Sequence, residues 1–187
     1  MKKILLLVVL AVIMRKRIYL LMIIFELFHE AGHIIAKKCT NEKQKIARAS
    51  GGPVTNLILI LAAGSFQLLT NNNNETFNLE IKEIIWANFI IFAFNIIPIY
   101  PLSGGKIINA ILEKKYDCTT AYMVTNQISN ITIIILTILS SLFILRYKNI
   151  VVIICLTYLW LIVLKENKKY IFIKCMIQKS KKLKLLN

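Results

Sequence analysis

His29, Glu30 and His33 are the residues of this sequence best placed to do chemistry. They stand in the pattern His-Glu-Ala-Gly-His. On a helix, residues four apart share a face, so both imidazoles can reach one metal ion. Glu30, next to the first imidazole, can serve as general base toward a water at that metal. The chain has two histidines, and both are in this pattern. Zinc suits such a site, because catalytic zinc takes three protein ligands and keeps a fourth position for water. Two histidines leave one ligand to come from elsewhere. The structural alternative is a polar helix face satisfied by hydrogen bonds from neighbouring helices.

The elements that must hold these residues are apolar. Of 187 residues, 57% are hydrophobic and 18% charged, and the mean hydropathy is +0.66. Long runs of Ile, Leu, Val and Phe alternate with short polar stretches, the pattern of helices that cross a bilayer. Residues 2–14 begin with Lys2 and Lys3 and end before Arg15-Lys16-Arg17 without a small-residue cleavage site, so they read as a short first span. Helices are expected over 18–38, carrying the histidines, over 53–69, with Pro53 in the first turn, and over 83–97. A short helix over 106–115 and spans over 127–145 and 149–164 complete the set. Pro98, Pro101, Gly104 and Gly105 interrupt regular helix near membrane depth, which is tolerated only where protein or a wet cavity surrounds the backbone. The expected fold is all-α: a polytopic membrane protein with about six transmembrane helices and a three-helix core. A transmembrane domain over 1–165, with its core over 18–105, precedes a basic tail over 166–187. In the membrane an ionisable group costs about 2.5–3.5 kcal/mol, so His29, Glu30 and His33 call for a metal or a wet cavity.

The net charge of +15 does not point to nucleic acid, because Lys and Arg lie in loops and the tail rather than in a basic domain interleaved with aromatics. With the N-terminus inside and six spans, most of the 24 Lys and Arg fall on the cytoplasmic side. Arg15, Lys16 and Arg17 form the main discordant loop. The chain is therefore expected in the cell membrane with a cytoplasmic N-terminus and tail. Cys39, Cys118, Cys155 and Cys175 are far apart and form no Cys-x-x-Cys pair.

Three motifs in order resemble the site-2 protease family of intramembrane zinc metalloproteases, closest to the stage IV sporulation protein FB type. They are Phe28-His29-Glu30-Ala31-Gly32-His33, then Gly51-Gly52-Pro53-Val54-Thr55-Asn56, then the stretch from Asn95 through Pro98, Pro101 and Ser103 to Lys106. The resemblance covers about residues 4–165. It implies that His29 and His33 bind Zn2+, that Glu30 is catalytic, and that Asn56 and Asn95 hold substrate or stabilise the reacting carbonyl. For Asn56 an interhelical hydrogen bond is an equal reading. The implied substrate is a membrane-tethered protein, such as a sporulation sigma-factor precursor, with regulatory membrane proteins as further partners.

The sequence departs from that family at Ser103, where the family has the aspartate that is the third zinc ligand. A hydroxyl is a poorer ligand than a carboxylate. Glu26 lies one turn before His29 on the same face, but helical side chains lean toward the N-terminus and so carry it away from the metal. Asp117 reads as a surface residue. The stretch after His33 is also shorter than in the family, and the tail is too short for a regulatory domain. Two functions follow: a zinc endopeptidase cleaving a membrane-tethered protein, or a degenerate relative that binds membrane clients without cutting them. A transporter with a buried His/Glu relay is a weaker third, because no inverted repeat is evident. The topology has a direct test. Cysteines placed between Asn71 and Lys82 should label from outside the cell, and cysteines between Lys37 and Arg48 from inside. Labelling of both from one side would remove the span arrangement.

Overall fold

A computed structural model describes residues 17–39, 44–70, 75–147 and 150–184. All regular structure among these residues is helical. The helices are α1 (Arg17–Cys39), α2 (Lys45–Thr70), α3 (Glu75–Ile96), α4 (Ser103–Leu112), α5 (Cys118–Tyr147) and α6 (Ile150–Lys184). The apolar run over 2–14 lies outside the described residues, as does 71–74. Among the described residues three helices are long and apolar enough to cross a membrane: α2, α5 over Cys118–Phe143 and α6 over Ile150–Gln178. Their surfaces fit lipid better than water. Leu68 and Leu69 are 83% and 84% exposed, and Ile131, Ile134, Ile138 and Leu142 are exposed along α5.

Several boundaries differ from the sequence expectation. α2 starts at Lys45, so Pro53 is inside the helix rather than in its first turn. Proline in a helix interior gives up a backbone hydrogen bond, and here it is buried beside the small residues Ala49 and Gly52. α3 starts at Glu75, α4 at Ser103 and α5 at Cys118, each earlier than the apolar runs suggest. The early start of α5 has a local cause. Asp117 Oδ2 accepts hydrogen bonds from the backbone N–H groups of Thr119 (3.1 Å) and Thr120 (3.0 Å), and Oδ1 accepts one from Thr120 Oγ1 (2.6 Å). Asp117 is thus the N-cap of α5, and the Thr120 hydroxyl is the main reason its carboxyl lies below the usual range. Finally, 165–184 continues α6 rather than forming a separate segment.

The chain divides into two compact units. The first comprises Met1–Ile97 with Leu102–Ile107. In it α1, α2 and α3 pack against one another, with Met22, Ala87 and Ile91 in a buried apolar cluster. The second comprises Pro98–Pro101 with Ile108–Asn187. In it α5 packs on α6 through paired polar side chains. Asn167 Oδ1 accepts from Asn126 Nδ2 (2.8 Å) and Asn130 Nδ2 (2.9 Å), while Asn167 Nδ2 donates to Asn130 Oδ1 (2.8 Å). Nearby, Tyr122 donates to the buried carboxylate of Glu166 (3.0 Å), whose other oxygen pairs with Lys169 (2.7 Å).

In an apolar setting each such bond is worth about 0.6 kcal/mol on average, with a ceiling near 1.7. Asn167→Leu removes three of them and leaves amide groups unpaired. It should lower the stability of the detergent-solubilised chain by about 1–2 kcal/mol, measured by equilibrium unfolding. An unchanged midpoint would mean that these bonds do not join α5 to α6.

Candidate metal centre

The site begins with how closely α1 and α2 approach. A Cβ on Gly32 would run into Thr55 Oγ1 and stand 2.6 Å from the Gly51 carbonyl oxygen. A Cβ on Gly51 would stand 2.6 Å from both the Ala36 Cβ and the Gly32 carbonyl oxygen. Only bare backbone fits at these two positions, and it lets the helices touch, as small residues do at membrane helix interfaces. The contact lies between the two histidines' turns of α1, so their rings are pressed against α2.

Each ring meets an oxygen there. His29 is fully buried, and its Nδ1 lies 2.6 Å from Asn56 Oδ1. His33 Nδ1 lies 2.9 Å from the backbone carbonyl oxygen of Arg48. A carbonyl oxygen only accepts, so the proton on His33 belongs on Nδ1 and its Nε2 carries a lone pair. The rings stand edge to face, with centroids 5.0 Å apart and planes at 82°.

Ser103 closes the site. The chain turns back sharply after α3, and a Cβ on Gly104 would collide with the Ile96 carbonyl. This turn brings Ser103, the first residue of α4, to the histidines. Its Oγ lies 3.0 Å from His33 Nε2 and 3.4 Å from His29 Nε2. In tetrahedral zinc with bonds near 2.0–2.1 Å, neighbouring ligand atoms stand roughly 3.3 Å apart, so both spacings are close to the edge of such a tetrahedron. Gly52 forms the adjoining wall. A Cβ there would fall 2.6 Å from His33 Nε2 and closer still to His29 Nε2. The absence of a side chain thus leaves open the space onto which both nitrogens face. Two imidazoles oriented in this way fit zinc. The third position offers a neutral hydroxyl, and among the described residues no group of three His, Cys, Asp or Glu could hold a metal.

The other residues singled out by the sequence fall in different places. Glu30 follows His29 on α1 and is exposed. Asn56 is fully buried and sits between His29 and Asn88, whose Oδ1 accepts from Asn56 Nδ2 at 3.1 Å. Its amide is engaged on both sides. Asn95, also buried, donates to the Ile91 carbonyl (3.0 Å) and to Glu26 Oε2 (3.4 Å), one turn before His29. Glu26 therefore pairs with Asn95, as expected of a side chain leaning toward the N-terminus of α1. Two contributors escaped the sequence reading: the Arg48 carbonyl, which no side-chain pattern can reveal, and Asn88. Asn88 stands within an apolar helix, and that polar interruption was its one available signal.

No protein-family model matches the sequence, and neither does any curated protein. Among solved structures, the site-2 protease from Methanocaldococcus jannaschii matches with a TM-score of 0.61 and 19% sequence identity, over 87% of this chain and 84% of that one. At that identity the likeness is one of fold, and the chain has the fold of that site-2 protease.

Proposed function

We propose that the chain is an intramembrane zinc endopeptidase that cleaves a membrane-tethered protein, such as a sporulation sigma-factor precursor. One observation carries this reading. Two imidazoles on one helix face are each held at Nδ1 by an oxygen, and both turn Nε2 toward one point beside Ser103 Oγ. Metal-binding histidines are held in this way, the outer hydrogen bond fixing the ring and its tautomer. The fold shared with a site-2 protease supports the same reading.

In this proposal His29 and His33 would hold the metal through Nε2. When bound, zinc supplies Lewis-acid polarisation of the scissile carbonyl and eases deprotonation of the attacking water. Glu30 accepts the proton from that water and delivers it to the departing amine. Asn56 keeps His29 oriented, its amide engaged on both sides. The open wall at Gly52 gives room for the reacting groups. The bilayer is the medium, regulatory membrane proteins are further partners, and both the N-terminus and the tail lie in the cytoplasm.

A second reading is favoured by Ser103: a relative that binds membrane clients and does not cut them. Three substitutions separate the two. Glu30→Gln should leave zinc bound and abolish cleavage of a membrane-tethered test substrate, because an amide does not take up the proton. Ser103→Asp supplies an anionic third ligand and should tighten zinc by roughly tenfold or more, given that outer-shell partners alone are worth 10–100-fold. Ser103→Ala should weaken zinc binding. Cleavage by the unaltered chain supports the peptidase; cleavage that appears only with Ser103→Asp supports the client-binding relative. Equal zinc affinity in all three Ser103 forms would mean that residue 103 does not face the metal.

Gly52→Ala gives an independent check. Alanine favours helix over glycine by about 1 kcal/mol, so helix content should hold. The added methyl occupies the space between the two Nε2 atoms, and zinc affinity should fall at least about tenfold, on the scale of outer-shell losses. Full zinc binding in this variant would put the metal elsewhere.

A further inference from the structure

Asn88 lies in the middle of α3 and is fully buried. Its Nδ2 donates to the backbone carbonyl of Ile84, 3.0 Å away and one turn earlier on the same helix. Its Oδ1 faces Asn56 Nδ2 at 3.1 Å, and Asn56 Oδ1 faces His29 Nδ1 at 2.6 Å. Asn88, Asn56 and His29 each show 0% exposure, so water does not compete along this line.

The two ends of an asparagine amide have nearly the same shape, and its orientation follows from its neighbours. Here a single group decides all of them. The Ile84 carbonyl only accepts, so it takes the NH2 of Asn88. Asn88 must then turn its oxygen toward Asn56, and Asn56 answers with its own NH2. That turns the Asn56 oxygen toward His29, where only an N–H is tolerated at 2.6 Å. The neutral imidazole must therefore carry its proton on Nδ1 and leave the lone pair on Nε2. If either amide were reversed, two acceptors or two donors would meet in a dry interior, at a cost of several kcal/mol for a group left unpaired.

We propose that Asn88 is a positioning residue for the metal site: acting through Asn56, it fixes His29 in the tautomer whose Nε2 can bind metal. This rests on the zinc reading above for its purpose, though not for its geometry. His33 is held separately by the Arg48 carbonyl, so the effect of Asn88 falls on one ligand of the pair.

The chain's two histidines make the test clean. With ring-15N histidine in the full-length, metal-free protein in detergent, at a pH where both rings are neutral, the spectrum contains two imidazoles. In the unaltered chain His29 should show a protonated Nδ1 and an unprotonated Nε2; the reverse pattern would overturn the proposal without any variant. In Asn88→Leu, which keeps the branched shape of the side chain and removes its hydrogen-bonding groups, His29 should shift toward a mixture of tautomers while His33 keeps its signals. Zinc affinity, measured by chelator competition, should fall by about 10–100-fold, the usual scale for outer-shell partners. Adding Asn88→Leu to Asn56→Leu should cost nothing further, because Asn88 acts only through Asn56. An unchanged His29 tautomer in Asn88→Leu, or additive losses in the double variant, would overturn the proposal. If the tautomer shifts on substitution while the unaltered chain binds no zinc, the relay stands and the zinc reading falls.

Discussion

The contact of two bare helix backbones at Gly32 and Gly51 is the constraint on which the site depends. Histidine rings on α1 find acceptors only if α2 lies close enough for Asn56 and the Arg48 carbonyl to reach their Nδ1 atoms. A methyl group at either glycine would stand 2.6 Å from a backbone oxygen of the facing helix, so the helices would have to move apart. In apolar surroundings an imidazole N–H without an acceptor costs several kcal/mol. The same spacing that permits the histidines therefore also orients them, and the orientation gives them a use.

Ser103 shows what the site holds and what it lacks. Its position at the head of α4 is fixed by the tight turn against Ile96, and the distances from Oγ to both Nε2 atoms are those of neighbouring ligands. Its chemistry is that of a neutral hydroxyl with one proton, which can serve one of the two lone pairs at a time. A carboxylate would answer both histidines through a metal. The two Nε2 atoms and this Oγ thus have spacings that zinc would accept, with a hydroxyl in the third place, and the two proposed functions differ at this one atom.

The two compact units use polar groups differently. In the first, the buried amides of Asn56 and Asn88 run in one direction toward a histidine, so their order carries information to the site. In the second, Asn130 and Asn167 bond reciprocally, Asn126 donates to Asn167 as well, and Tyr122 and Lys169 both bind the Glu166 carboxylate. The Asn126, Asn130 and Tyr122 bonds join α5 to α6.

The sequence by itself determined whatever depends on near neighbours. Helical periodicity put His29 and His33 on one face, apolar runs pointed to the helices found among the described residues, three of them long enough for a membrane, and the lean of helical side chains carried Glu26 toward Asn95. Helix starts were less legible, because they depend on capping and packing rather than on apolarity: Asp117 caps α5 well before its apolar run begins, and Pro53 is accepted inside α2. Only the tertiary structure decided which atoms face the histidines. The Arg48 carbonyl has no side-chain signature, Asn88 is 32 residues from the Asn56 it orients, and Ser103 is 70 residues from His33. Such partners are chosen by helix packing, in which a shift of one turn would replace every one of them, and no local pattern in the chain records that choice.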